Sequence, residues 1–491
     1  MDKQSVKTKP DLLKRLRRAL SGLGRCRLLK LRDAYRLVGD SVRVPYEGFP
    51  IQLLLGKGGK RLRLYPEYPL QGKAKGGGPP NFVLDDPDHS GATIGGFLRL
   101  EPGQRITLGR GDPRQQALFH YPEGVAPRHL RLTHDGDAVV FEDKTEVGSC
   151  ISPLLNEEKS ERLSCLRRVL DIFGGPLKPL PKAEALALIE EVNEVMQQEV
   201  YRPRDSRGLP GGLLQLPGEL TPIVVADLHA QIDNLLVILS HNGFLHALEQ
   251  GEACLVILGD AVHSEREKAL DKMKDSMLIM DLIFRLKLRF PEHFFFIRGN
   301  HDSFSEDISK GGVPQGLYWR QALRKARGKE YRRAMQRYYD MLPYAVVSPD
   351  FCATHAAPTR TKISIEMLVD IHSTPGLIPE LVNNRMQGRN RPGGYTKSDI
   401  RRFRKALGVP PETPFIVGHT PMDQTNAYWL DVGGAENHHV LYSAGETWVG
   451  LFARIGGEMC PLRYPCEPLR RLINGLAGGD KKSAKSRSNR A

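Results

Sequence analysis

Residues 294–304 read FFFIRGNHDSF, and how this stretch is taken decides the fold. Phe294, Phe295, Phe296 and Ile297 form a short apolar run without polar alternation, the mark of a strand buried on both faces. The run breaks at Gly299 and presents an amide, an imidazole and a carboxylate in succession: Asn300, His301 and Asp302. A core strand gains nothing by ending in three adjacent ligand-type groups. The chemistry at that end needs its own explanation.

The pattern recurs on both sides. PIVVADLHA (222–230) closes an apolar strand with Asp227 and His229, and CLVILGD (254–260) closes another with Gly259 and Asp260. YAVVSPDFCATHAAP (344–358) reads as a hairpin whose second strand ends at His355, and FIVGHTP (415–421) ends at His419. From residue 222 such strands alternate with long helical patterns, which predicts an α/β sandwich-like domain. In such sheets the loops at the carboxyl ends of strands converge on one crevice. Asp227 and His229, two apart, face the same side of an extended segment. Asp227, His229, Asp260, Asn300, His355 and His419 make a mixed nitrogen and oxygen donor set that suits borderline divalent ions: Mn, Fe, Zn or Co. Two metal ions ~3.5–4 Å apart need a bridging carboxylate with ligands on either side, and they activate water against a phosphoryl group. His301 is placed to protonate a leaving oxygen and Arg298 to hold phosphate oxygens bidentately.

In order, DLH, GD, GNHD, TH and GHTP resemble the motifs of the calcineurin-like metallophosphoesterases, over residues 222 to about 450. The spacing is similar to the serine/threonine phosphoprotein phosphatase branch and to the bacterial diadenosine tetraphosphatases; GNHD and GHTP lean toward the bacterial enzymes. The resemblance implies an α+β fold, a four-layered αββα metallophosphoesterase sandwich, with a dinuclear centre. It implies Asp227, His229 and Asp260 on one metal ion, and Asp260 as a bridge with Asn300, His355 and His419 on the other. His301 would be the general acid, with Arg298 on the phosphate.

The sequence departs from that branch in one loop. Where the branch reads GDxxDRG, residues 259–265 read GDAVHSE. His263 stands where an acid orients the catalytic histidine, and Ser264 where an arginine binds phosphate; Asp302 is the expected substitute for the orienting acid. A further phosphate-binding arginine, between the last two histidines, has three candidates in NNRMQGRNR: Arg385, Arg389 and Arg391. His241, His246, His263, His438 and His439 are read as ordinary hydrogen-bonded histidines. Asp431, in WLDVGG, either supports the site from behind or ends a strand. The basic helical stretch 318–342 lies between two ligands and is either a cleft wall or an ordinary solvated helix.

Residues 46–155 are rich in Gly, Pro and short alternating runs such as FLRLEPGQRITLGR (97–110) and HLRLTHDGDAVVFED (129–143), which predict a small all-β module. LGR (108–110), VAPRHLRL (125–132), DGDAVV and VGSC are similar to a forkhead-associated (FHA) domain. That resemblance implies an FHA-like β-sandwich, with Arg110 as the phosphate-binding arginine and His129 as a structural histidine. Ala126 and Val147 occupy the positions of the phosphate-binding Ser and peptide-gripping Asn. Losing those polar groups would cost ~1–3 kcal/mol each. A degenerate module for docking or intramolecular packing is therefore expected ahead of phosphopeptide capture.

The chain of 491 residues carries a net charge of +14. Thirteen Lys/Arg against four acids in residues 1–45, and five Lys/Arg in 481–491, account for the whole excess. Basic ends are implied, not a basic central groove. They suit solubility or contact with nucleic acid or an anionic membrane surface, and DLLKRLRRALSGLG (11–24) spaces its leucines for an amphipathic helix. With no apolar run near ~18 residues and no signal-peptide pattern, a cytoplasmic protein is expected. Seven scattered cysteines without a CxxC pair suit reduced thiols.

The expected division is a basic segment (1–45), the FHA-like sandwich (46–155), a helical linker region (156–221), the metallophosphoesterase domain (222–465) and a basic tail (466–491). Three functions are open: a serine/threonine protein phosphatase acting on phosphoproteins, a diadenosine polyphosphate or nucleotide hydrolase, and a weakly catalytic phospho-signalling scaffold.

Overall fold

The computed structural model describes residues 27–475 apart from 32–33, 58, 67–80, 87–96, 154–155, 357, 389–392, 424–425 and 456. The leucine-spaced segment 11–24, most of the basic tail, Cys26, Arg389 and Arg391 lie outside the described residues. Two compact units divide at Leu163/Ser164.

The first unit is built from strands short enough, and alternating enough, to bury one face each. Lys60–Pro66 buries Leu62 and Leu64 while Arg61 and Arg63 point outward. One sheet runs Arg27–Leu28, Ser41–Pro45, Ala138–Asp143, Leu130–His134, Arg105–Leu108 in spatial order. The other runs Tyr35–Leu37, Ser149–Pro153, Ile51–Leu55, Lys60–Pro66, Phe82–Asp85, Phe97–Leu100. Val42, Leu132 and Phe141 of one sheet share a single apolar cluster with Leu53, Leu64 and Phe82 of the other, which makes the unit a β-sandwich. Three of its strands, Arg27–Leu28, Tyr35–Leu37 and Ser41–Pro45, fall in the stretch read from sequence as a basic N-terminal segment. Charge masked them: the inward Val42 and Val44 alternate with Arg43, so half of the strand is polar.

The second unit stacks two mixed sheets. One has the order Leu213–Gln215, Ala345–Val347, Cys352–Thr354, Phe415–Val417, His438–Leu441, Tyr428–Trp429. The other has the order Phe294–Phe296, Ala253–Ile257, Thr221–Val225, Trp448–Ile455, Glu458–Pro465. Leu214, Val346 and Ile416 meet Val224, Val256, Phe295 and Phe452 in the core between them. A second cluster packs Cys352 and Phe415 against Leu368, Leu381, Ile400 and Phe403 of the helices on one outer face. Helices Ile232–Ser240, Lys274–Arg289 and Phe244–Glu249 cover the other. The result is the four-layered αββα sandwich.

Two stretches assigned to a linker are part of this unit. Leu213–Gln215 pairs in parallel with Ala345–Val347 as an edge strand. Its neighbours Gly211 and Gly212 looked like linker residues, but they are packing requirements: a Cβ on either would overlap backbone of 203 and 368–369 or the side chain of Ile371. Helix Lys182–Gln197 packs along helix Gln315–Met341, and its Asn193 amide donates to the Ala334 carbonyl at 3.1 Å. Pro181 sits one residue before that helix, as its cap. Among the described residues no helix is long and apolar enough to cross a membrane, and Cys150, Cys254, Cys352 and Cys460 are free thiols.

Candidate metal centre

Three parallel strands of one sheet, Thr221–Val225, Ala253–Ile257 and Phe294–Phe296, end side by side. Asp227 and His229, Asp260, and Asn300 to Asp302 follow those ends. Cys352–Thr354 and Phe415–Val417 run parallel in the other sheet and deliver His355 and His419. Asp227, His229, Asp260, His355 and the Asp302 carboxyl are buried.

The motif glycines are present because carboxylates occupy the space a side chain would take. A Cβ on Gly299 would overlap Asp260 Oδ1, and one on Gly418 would overlap Asp227 Oδ2. Gly259 adopts φ 94°, and a Cβ on it would overlap the Gly299 backbone. The ligand-type residues themselves take left-handed backbone: His229 at φ 42°, Asp260 at 53°, His263 at 66° and His419 at 64°. Such conformations cost roughly 1–3 kcal/mol each for non-glycine residues and persist only where surrounding contacts enforce them. Here backbone hydrogen bonds do so. Leu228 and His229 N–H donate to the Asp260 carbonyl at 3.0 and 2.9 Å, and His419 N–H donates to Asp227 Oδ2 at 2.9 Å.

Six predicted ligands come together. Ligand-type atoms of His229, Asp260 and His301 lie within 4.8 Å of one another, as do those of Asp260, His355 and His419. Asp260 belongs to both groups. Asp227 Oδ1 is 3.8 Å from His229 Nε2, while His355 Nε2 faces Asn300 Oδ1 at 3.0 Å and Asp260 Oδ2 at 3.3 Å. His229 and His355 each turn the other ring nitrogen to a backbone carbonyl: Val262 at 3.3 Å and Leu258 at 2.7 Å. That pattern fixes Nε2 as the free ligand atom. Burial opposes a charge on His355, yet Asp260 and Asp227 outweigh it and push the imidazole up to about 9. His419 is held well below the ordinary range by burial, His355 and Arg385.

The surroundings of His301 correct two expectations. Asp302 does not orient it: the Asp302 carboxylate accepts Gly299 N–H at 2.8 Å and Asp260 N–H at 3.0 Å, pinning two ligand loops together. Adjacent residues in a tight loop diverge, so Asp302 points beneath the site. Its pKa is pushed up to about 7, by burial first and then by Asp260. His263, read as an ordinary histidine, instead faces His301 with Nδ1 to Nδ1 at 2.9 Å. Its own Nε2 is buried without a partner, and a buried orphan N–H is rarer than an orphan acceptor. His263 therefore carries its proton on Nδ1 and donates it to His301, whose proton lies on Nε2. Burial holds His301 down at about 4.

Of the arginines, Arg298 is turned aside: its guanidinium donates to the Tyr339 carbonyl at 2.9 Å and the Tyr344 hydroxyl at 3.3 Å, on the end of helix Gln315–Met341. That helix also brings the Trp319 ring edge-on to His263, with centroids 6.3 Å apart, so it flanks the site. Arg385 donates to Thr420 Oγ1 at 3.1 Å, next to His419; Arg389 and Arg391 lie outside the described residues. Sequence reading missed Glu265 altogether. Its Oε1 lies 3.6 Å from His229 Nε2. Burial works against ionisation there, but His229, Lys310 and Tyr442 hold the carboxyl at about 2.

The remaining candidates have local partners. Asp431 accepts Asn437 N–H at 2.7 Å, His438 pairs with the Tyr395 hydroxyl at 2.9 Å, and His439 stacks on Phe452. His241 Nδ1 meets the Val237 carbonyl at 2.8 Å. In the sandwich unit Arg110 Nε donates to the Val125 carbonyl at 2.6 Å, and His129 Nδ1 accepts Ala126 N–H at 3.0 Å.

The donor set fits a pair of borderline divalent ions. His419 Nε2 is buried with no hydrogen-bond partner, as is Asp302 Oδ1 beneath the cluster. Residues 220–442 match the family model "Calcineurin-like phosphoesterase". The chain is similar to serine/threonine-protein phosphatase with EF-hands 2 from Mus musculus (26% identical over 168 residues, 34% of this chain and 20% of the relative). It is similar to the Homo sapiens protein of the same name too (32% over 124 residues, 25% of this chain and 14% of the relative). The chain thus spans a fifth or less of the length of these relatives. A solved serine/threonine phosphatase from Saccharomyces cerevisiae aligns at TM-score 0.44 and 15% identity, covering 59% of this chain and 91% of that one.

Proposed function

The chain carries a calcineurin-like phosphoesterase domain, and we propose that it hydrolyses phosphate monoesters on serine/threonine phosphoproteins with two divalent ions, Mn, Fe or Zn. The observation that carries this is the sharing of Asp260 between two ligand groups within one buried cluster. A carboxylate so shared would hold both ions. Asp227 and His229 complete one side; Asn300, His355 and His419 complete the other. The ion pair supplies Lewis acidity toward the phosphoryl group and a nucleophile from water near neutral pH.

The chain's own residues do the rest. His301 offers its Nε2–H to the leaving oxygen as a hydrogen-bond donor, and His263 holds the imidazole in that tautomer from behind. Asp302 keeps the Asp260 and Gly299 loops in register. Arg385, beside Thr420, is the arginine placed to meet a phosphate oxygen; Arg298 reaches one only by leaving Tyr339 and Tyr344. The sandwich unit is assigned protein docking: with Ala126 and Val147 where polar grips would be, it is a weak phosphopeptide reader. Buried unpaired thiols such as Cys254, pushed up to about 12 by burial, suit a reducing compartment such as the cytoplasm.

The loss of an arginine at Ser264 favours one second reading, hydrolysis of a dinucleoside polyphosphate. The test assays phosphoserine and phosphothreonine peptides, p-nitrophenyl phosphate and diadenosine tetraphosphate with Mn²⁺. Preference for peptides supports the proposal, and preference for the dinucleotide replaces it. No turnover by metal-loaded protein leaves only a scaffold.

A further inference from the structure

We propose that Glu265 is an additional carboxylate ligand of the ion held by Asp227, His229 and Asp260, clamped for that role by Lys310 and Tyr442. The inference rests on the two-ion centre above. It adds a residue that the resemblance did not supply, in the loop where this chain departs from GDxxDRG.

Two carboxylate oxygens flank the same imidazole nitrogen at matching distances: Asp227 Oδ1 at 3.8 Å and Glu265 Oε1 at 3.6 Å from His229 Nε2. Glu265 is thus as near to His229 Nε2 as Asp227 is. Its side chain is 28% exposed, so it lies at the open rim of the cluster and not behind it. Each oxygen has one fixed donor. The Tyr442 hydroxyl donates to Oε2 at 2.6 Å and the Lys310 ammonium donates to Oε1. A carboxylate oxygen accepts two bonds, so Oε1 keeps a lone pair for a second partner on the His229 side. Ligating carboxylates are commonly held in this way by donors behind them.

Both clamps are themselves fixed. Lys310 sits at the base of a tight turn, its N–H and carbonyl paired with Val313 at 3.1 and 3.0 Å across Gly311 and Gly312, both at positive φ. The Tyr442 ring lies 6.4 Å from the His229 ring. Serine at 264 fits the same arrangement. Its Oγ accepts Arg266 N–H at 3.3 Å and its carbonyl accepts the Gln315 amide at 2.8 Å, which anchors the loop on both sides of Glu265.

Wild type and Glu265→Gln would be titrated with Mn²⁺ calorimetrically, and the Co²⁺-loaded proteins compared by visible absorption. The expected result is that one of the two ions binds roughly ten- to a hundredfold more weakly in Glu265→Gln, with a changed Co²⁺ spectrum and the other ion unaffected. Tyr442→Phe, which keeps the carboxylate but removes a clamp, should weaken the same ion by a smaller factor. Unchanged affinity for both ions together with an unchanged Co²⁺ spectrum overturns the proposal and makes Glu265 a partner of Lys310 only. The readout is binding, so a wild type that holds two ions without turning over any phosphoester would sink the proposed function and leave this inference standing.

Discussion

In the β-sandwich unit charged groups come in closed pairs. Lys60 meets Asp86, Arg63 grips Asp85 with two bonds at 2.9 and 2.7 Å, and Arg43 reaches Asp135 at 2.5 Å. Even Arg110 is tied to the Val125 carbonyl. In the αββα unit five strand ends bring three imidazoles, two carboxylates and an amide to one place. Both regions bury polarity and the sandwich leaves Gln116 Oε1 without a partner, but in the αββα unit His263 Nε2, Asp302 Oδ1 and His419 Nε2 are left so within one loop cluster. Binding chemistry is located by that imbalance and not by charge itself, since isolated buried acceptors would cost several kcal/mol unless a cation arrives.

The comparison breaks most decisively at Asp260. Asp260→Asn should lower kcat by at least about a thousandfold, roughly 4 kcal/mol of barrier, and reduce the bound metal measured by elemental analysis. His301→Gln comes next, with a loss of about 10²–10⁴ in kcat on a phosphoserine peptide. The loss should be much smaller on p-nitrophenyl phosphate, whose leaving group needs little protonation, and metal content should not change.

A buried polar group in the same unit but outside the site should act on stability alone. Burial, with His439 and Arg404, holds His438 at about 3, against ~6.5 unfolded. Its folded pKa is depressed, so the unfolded chain takes up the proton first. The stability is fully present above pH 6.5 and is lost as pH falls toward 3, at about 1.4 kcal/mol per unit. In urea unfolding between pH 6 and 5, His438→Asn should lose that part of the slope. The smallest effect belongs to Arg110→Ala, expected to shift stability by less than about 0.5 kcal/mol and to leave peptide turnover unchanged. A large drop in turnover would show that the two units do not differ as described.

What could be read beforehand followed periodicity. Short apolar runs ending on Asp227, Asp260, Asn300, His355 and His419 carry their own signal, because neither helix nor loop needs that pattern, and a sandwich-like α/β domain follows from it; the four layers came from the family resemblance. Asp135-Gly136 between alternating runs likewise marked the hairpin of the sandwich unit. The failures share a cause: contacts between residues distant in sequence leave no local trace. Glu265 is five residues past Asp260 in an unpatterned loop, and only the turn at Lys310 and the strand before Tyr442 make it part of the site. His263 became relevant through His301, 38 positions away. Leu213–Gln215 hid behind two glycines that mean flexibility in a linker and close packing in a fold.

The left-handed backbone at His229, Asp260, His263 and His419 bears on descent as well as on chemistry. At such positions glycine is the relaxed choice, and most proteins sit just above the stability they need. A lineage that had stopped hydrolysing anything would gain robustness by surrendering these side chains one at a time, and drift would favour it. This chain keeps the motif side chain at three of them, His229, Asp260 and His419, which weighs against a retired enzyme kept only as a platform.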